Sequence, residues 1–133
     1  MTSRMKIKTG GKREVADITD KISEALLELK AKDGTCNLFL RHTTAALTVG
    51  ELEAGNAEDL LAALETISPK LKYLHSDDPA HVGAHILSAL IGSSLSLPVE
   101  GGKLSLGTWQ RVALVELDGP REREINLTFI PNG

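Results

Sequence analysis

The run Arg111-Val112-Ala113-Leu114-Val115-Glu116-Leu117 constrains this chain more than any other stretch. Apolar residues occupy both parities, so both faces of an extended strand here must be covered, as at the centre of a sheet. Gly107 before the bulky Thr108-Trp109 pair points to a bulge or a close backbone approach, and Asp118-Gly119-Pro120 points to a turn. Gln110 and Glu116 share parity with Leu104, Leu106, Val112 and Leu114, which puts polar groups on an apolar face where they need partners. A buried structural hydrogen bond and a functional group aimed into a site both fit that pattern.

The other elements follow from local signals. Lys6 to Thr9 and Arg13 to Val15 flank Gly10-Gly11, a hairpin signal. Ile18, Ile22, Ala25, Leu26 and Leu29 recur at helical spacing, with Asp17 or Thr19 to cap the start and Asp33-Gly34 ending the run. Cys36, Leu38 and Leu40 alternate with Asn37, Phe39 and Arg41 as a buried strand. Ala45 to Val49 is either a second strand or an extension after a bend at Thr43-Thr44. Asn56 opens a second helix with Leu60, Leu61, Leu64 and Ile67 as its stripe and Ser68-Pro69 as its stop. Leu71 to Asp78 reads as loop, and Pro79 as the first residue of a helix closed by Gly92. Leu95 to Val99 and Lys103 to Leu106 flank Gly101-Gly102 as a hairpin, and Ile125, Leu127 and Phe129 mark a half-buried last strand. This order predicts an α+β fold, helices on antiparallel strands, rather than a doubly wound sheet.

A length of 133 residues predicts one domain over 1–133. With 41% apolar and 25% charged residues the chain can bury a core, which argues against disorder. A net charge of -3 gives no basic excess for a nucleic-acid surface. The single Cys36 excludes an internal disulfide framework and a multi-cysteine metal site, and reads as a buried thiol. Met1-Thr2-Ser3-Arg4-Met5-Lys6 lacks the apolar core of a signal peptide, and no apolar run approaches about 18 residues. The expectation is a cytoplasmic protein with no nucleic-acid or membrane partner. Phosphate-loop, dinucleotide and nucleophile-elbow motifs are absent.

The histidines lie in two places, His42 and the group His75, His81 and His85. His42 continues the parity of Cys36, Leu38 and Leu40, as either a satisfied core histidine or a site residue. His81 and His85 are four apart, the spacing of paired metal ligands on one helix face, and a spacing that also arises by chance. Asp77 and Asp78 beside His75 offer oxygen ligands or orienting partners, or simply a solvated acidic loop. Glu51 at a strand end is a base, a ligand or a plain surface carboxylate. Trp109 packs or faces a ring. Arg121 and Arg123 either hold a phosphate or carboxylate through bidentate bonds or pair with Glu122 and Glu124.

With these residues assembled, the chain resembles the YjbQ family, some members of which are named secondary thiamine-phosphate synthases. The motifs that carry the likeness are His42-Thr43-Thr44-Ala45-Ala46-Leu47-Thr48, Ala84-His85-Ile86 leading to Gly92-Ser93-Ser94, and Gly102 through Trp109-Gln110. Glu116, Asp118-Gly119-Pro120-Arg121 and Arg123 complete them. The resemblance implies an antiparallel sheet sandwich with about three helices, assembled as a homotrimer. It implies a divalent metal, zinc or magnesium, at His42, His75 and His85. Glu51, Gln110 and Arg121 would be catalytic, and Thr43, Trp109 and Arg123 would bind a phosphorylated small molecule. The implied reaction joins a pyrimidine diphosphate to a thiazole phosphate; the alternative is metal or ligand binding without turnover. The chain departs from the family pattern at Gly50-Glu51, where members usually carry Asn-Glu, and at His81, where they often carry Asn.

Overall fold

The computed structural model describes residues 1–68, 71–76 and 78–133. The order is β1 (Thr2–Lys8), β2 (Glu14–Asp17), α1 (Thr19–Glu28), β3 (Gly34–Leu40), β4 (Ala45–Gly50), α2 (Asn56–Ile67), α3 (Pro79–Ile91), β5 (Ser94–Glu100), β6 (Lys103–Leu104), β7 (Arg111–Glu116) and β8 (Glu122–Pro131). The strands form two antiparallel sheets, β1-β8-β3-β5-β6 and β2-β7-β4. No helix among the described residues is long and apolar enough to cross a membrane.

β7 explains the layering. Val112 and Leu114 join a core with Leu38, Leu40, Ile125 and Leu127 of the larger sheet, closed by Ile18, just ahead of α1, and by Ile22 and Leu26 of α1. Val115 and Leu117 point the other way, onto Leu64 of α2 and Ala84 and Leu87 of α3. The central strand is therefore covered on one side by a sheet and on the other by two helices. Cys36 lies in the first core, and burial pushes its thiol up to about 11.

Local signals place most elements. Asp17 accepts from the Thr19 N–H and hydroxyl just ahead of α1, whose N-cap position is Ile18. Asp78 is itself the N-cap of α3 and accepts from the Ala80 N–H. Gly101 and Gly102, both at positive φ, make the two-residue turn between β5 and β6.

One expectation changes and two open alternatives are settled. Gly10-Gly11 does not close a hairpin, because β1 and β2 belong to different sheets. Both glycine N–H groups instead bond Glu14 Oε2, bending the chain from one sheet to the other. Thr43-Thr44 likewise lies between β3 in one sheet and β4 in the other, so Ala45–Gly50 is a separate strand. Gly107 is not at a bulge: its N–H bonds the Gln110 side chain at 2.8 Å in a turn before β7.

Three of the chain's passages between sheets, around residues 9–13, 41–44 and 117–121, lie at one end of the sandwich, as the pairing registers show. There, fully buried Glu116 of β7 meets nearly fully buried Arg123 of β8. Arg123 Nε donates to Glu116 Oε1 at 2.9 Å, and its Nη2 donates to Glu116 Oε2 and to the carbonyl and hydroxyl of Thr44. The Thr9 hydroxyl donates to Glu116 Oε1 at 2.6 Å. Residues from all three crossings thus converge on one buried ion pair. Gly119 is held so closely that a Cβ there would lie 2.4 Å from the Gly11 carbonyl oxygen and 2.8 Å from Glu116 Cγ.

Burial alone would raise the Glu116 carboxyl, but Arg123, the Thr9 hydroxyl and the Asp118 N–H outweigh it and hold it below its ordinary 4.5. A depressed folded value means the contribution is complete above the ordinary range and is lost as pH falls through the folded value. Glu116→Gln is expected to lower stability near neutral pH by about 3–5 kcal/mol, since it strands a buried guanidinium. Urea unfolding in neutral and acidic buffer would check this. The loss should shrink in acid, and a pH-independent difference would contradict the account.

Candidate metal centre and adjoining cleft

α3 packs across the crossing end of the smaller sheet. Its buried Ser88 donates to the Ala45 carbonyl at 2.6 Å, and the Leu47 N–H bonds the Gly92 carbonyl. This docking turns His81 and His85, one helical turn apart, toward the crossings. Their Nε2 atoms lie 3.2 Å apart. His75, from the loop before α3, brings its ring centroid to 5.0 Å from His85 and 5.4 Å from His81. One ligand atom from each of the three rings falls within 4.8 Å of the others.

The arrangement fits a divalent ion. Tetrahedral imidazole ligands about 2.0–2.1 Å from zinc stand roughly 3.3 Å from one another, close to the His81–His85 spacing. His81 Nδ1 faces Asp118 Oδ2 at 3.2 Å, the carboxylate–imidazole pairing that fixes a tautomer and leaves Nε2 for a metal. Burial, then the neighbouring His81 and His75 rings, hold the His85 ring below its ordinary 6.5. A neutral ring is the form that ligates. Burial would raise Asp118, but hydrogen bonds from His81, Lys12 and Arg121 bring it down to about 2.

His42 stands apart from this group. Its Nε2 accepts the Glu124 N–H at 2.9 Å, so a neutral ring carries its proton on Nδ1 and has no lone pair free for a metal. Burial, then Arg123, push its protonation below the ordinary 6.5. The ring lines a cleft of about 340 Å³ with Arg41, Thr43, His81, His85 and Arg121. Arg121 is half exposed there, with Nε on the Asp118 carbonyl at 2.8 Å and Nη2 on Asp118 Oδ2 at 3.3 Å.

The other expected site residues separate. Arg123, expected to bind substrate, spends its donors on Glu116 and Thr44 in the core and reaches only the cleft wall. Glu51, Trp109 and Gln110 flank the far end of β4 and β7, roughly 20 Å away at about 3.3 Å per strand residue. Glu51 lines another cavity, of about 340 Å³, with Asn56 and Asp59. Trp109 is 64% exposed, and the Gln110 carboxamide closes its own turn. Asp78 caps α3 rather than facing the histidines' ligand atoms. Asp77 lies outside the described residues. The resemblance implies His42 rather than His81 as a ligand, although the spacing of His81 from His85 is the available signal, and nothing in the sequence pattern singles out Lys12 or the orienting role of Asp118.

A family model described as UPF0047 protein YjbQ-like matches residues 3–132. The chain belongs to this family. A UPF0047 protein of Archaeoglobus fulgidus is 40% identical over 120 residues, 90% of this chain and 93% of the relative. One from Methanothermobacter thermautotrophicus is 34% identical, over 96% of this chain and 90% of the relative. The crystal structure of a hypothetical protein from Aeropyrum pernix K1 superposes with a TM-score of 0.91 at 37% identity, covering 99% of both chains. A YbjQ-like protein of unknown function from Sulfolobus solfataricus gives 0.88 at 33%, covering 99% of this chain and 97% of that one. These relatives share the fold, and their names state no activity.

The histidine geometry predicts a metal stoichiometry. Purified protein dialysed against zinc should retain about one ion per chain; His81→Ala and His85→Ala should lose it, and His42→Ala should keep it. Elemental analysis reads all four. Retention by His81→Ala together with loss by His42→Ala would reverse the assignment.

Proposed function

We propose that the cleft at the crossing end is a metal-dependent site acting on a phosphorylated small molecule, with thiamine phosphate formation as the reaction. The observation that supports this best is the convergence of His75, His81 and His85 beside a cleft lined by Arg41 and Arg121. In that reaction the thiazole nitrogen forms a bond to the pyrimidine methylene carbon, and the carbon–oxygen bond to the diphosphate breaks, releasing pyrophosphate. Such a displacement can pass through a loose, cation-like transition state, which calls for stabilising the leaving diphosphate more than for a protein nucleophile. Arg41 and Arg121 bind that anion and orient it. Thr43 offers an exposed hydroxyl on the cleft wall, and neutral His42 offers its Nδ1–H. A divalent ion bound by the histidines would add positive charge for the same leaving group.

One feature favours the alternative, binding without turnover. No carboxylate lines the cleft among the described residues, His42 Nε2 is taken by the Glu124 N–H, and His81 and His85 are assigned to the metal, so a reaction needing a general base finds none free there. The loose displacement needs no such base, which is why it is preferred. We also propose a homotrimer, in keeping with the resemblance. Sedimentation equilibrium at micromolar protein should give about three times the chain mass, and a clean 14.2 kDa species would exclude it.

Pyrophosphate release from the two phosphorylated precursors by zinc- or magnesium-loaded protein tests the activity. Arg121→Gln is expected to lower kcat/KM by about a hundredfold with the fold intact. Folded, metal-loaded protein that releases no pyrophosphate, and that fails to complement a strain lacking thiamine-phosphate synthase, would leave the binding reading in its place.

A further inference from the structure

Asp118 holds more than one residue should if its only task were to end β7. Its N–H donates to Glu116 Oε2 at 3.1 Å, and its carbonyl accepts Arg121 Nε, so its backbone is fixed to the buried pair and to the cleft wall. Its side chain is 10% exposed and meets three cationic or ionisable groups. Oδ1 faces Lys12 Nζ at 3.2 Å. Oδ2 faces both His81 Nδ1 at 3.2 Å and Arg121 Nη2 at 3.3 Å. Both separations exceed the roughly 2.7–2.9 Å of an unshared charge-assisted bond. One oxygen is divided between a histidine of the metal-binding group and the arginine that faces the cleft.

The two claims on that oxygen differ in how easily they are given up. Arg121 is 53% exposed and keeps its Nε bond to the Asp118 carbonyl if Nη2 swings away. His81 is anchored on α3 and has no such freedom. An oxyanion in the cleft offers Nη2 a new charged acceptor, with Arg41 lining the same cleft. When Nη2 leaves, Oδ2 serves His81 alone, and a stronger acceptor on Nδ1–H makes Nε2 a better ligand. We propose that Asp118 is a positioning residue that couples the two halves of the site: an oxyanion that draws Arg121 off Oδ2 tightens the histidines' hold on a divalent cation. The inference rests on reading His75, His81 and His85 as metal-binding. Linkage makes the effect reciprocal, so the cation tightens oxyanion binding by the same factor.

The probes are Co²⁺, whose visible absorption reports its coordination, and inorganic phosphate. The Co²⁺ affinity of the full chain is measured against a competing chelator, with and without saturating phosphate, and chelator alone corrects for cobalt–phosphate association. Phosphate should tighten wild-type cobalt binding by about fivefold or more. Arg121→Gln, a change at a half-exposed side chain, should bind cobalt without phosphate and lose the tightening. Asp118→Asn should bind cobalt about 10–100-fold more weakly and lose it too. If wild-type protein binds no Co²⁺ at all, the metal reading itself fails. If cobalt binds and phosphate leaves its affinity unchanged, the coupling fails alone. Equal tightening at saturating phosphate in wild type, Arg121→Gln and Asp118→Asn would mean that phosphate acts by touching the metal, and would overturn the role of Asp118. Should Asp118→Asn not fold, Arg121→Gln alone decides between these outcomes.

Discussion

The buried pair of Glu116 and Arg123 is the constraint on which the rest of this molecule hangs. It joins the middle strand of the smaller sheet to the larger sheet at the end where the chain changes sheet three times. A buried ion pair contributes little net stability against a well-packed apolar replacement, because desolvating both charges offsets their attraction. Its effect here is geometric. A carboxylate that accepts Thr9 from one crossing, Arg123 beyond another, and the Asp118 N–H allows few other registers. Thr44, from the remaining crossing, takes what is left of the guanidinium. An apolar cluster of the same volume could slide, whereas this network loses charged hydrogen bonds with any slip.

That rigidity explains where the site lies. Arg41, Thr43, Asp118 and Arg121 all belong to, or directly follow, the crossing segments, and loops held by a rigid scaffold are where functional groups concentrate. The helices add the rest. β7 needs cover on its outer face, and α3 supplies it through Ala84 and Leu87. Helical spacing then places His81 and His85 over the crossings. Core packing and site assembly come from the same helix placement, so a change in either disturbs the other.

What could be read from the residues divides along the range of the interaction. α1, α3 and the glycine turn between β5 and β6 are specified within a few residues by Asp17, Asp78 and Gly101-Gly102, and all were legible. The two faces of β7 were legible as well, since alternation is a local pattern. Membership of one sheet or the other is a long-range choice, so the strands around Gly10-Gly11 looked like a hairpin although they part company there. Parts of the site were hidden for the same reason, although His75, His85, Thr43 and Arg121 do lie together. Parity put His42 on the buried side but could not show that the Glu124 N–H occupies its Nε2. Glu51 and Gln110 looked suited to catalysis as residue types, yet strand register carries them to the opposite end of the sheet.

His81 is where this chain departs from its resemblance in a way that bears on chemistry. An Asn at that position could meet Asp118 through its amide, leaving His75 and His85 as the only imidazoles of the group. A histidine there reaches Asp118 with Nδ1 and His85 with Nε2, at 3.2 Å each, and so spans the distance between the acidic turn and the ligating atoms. The consequence is a continuous run of polar contacts from the Glu116–Arg123 pair through Asp118 to the histidines. A network of that kind is favourable only when every member is satisfied. The ring of His81 completes it on one side, and the half-exposed Arg121 is the member left free to exchange its partner.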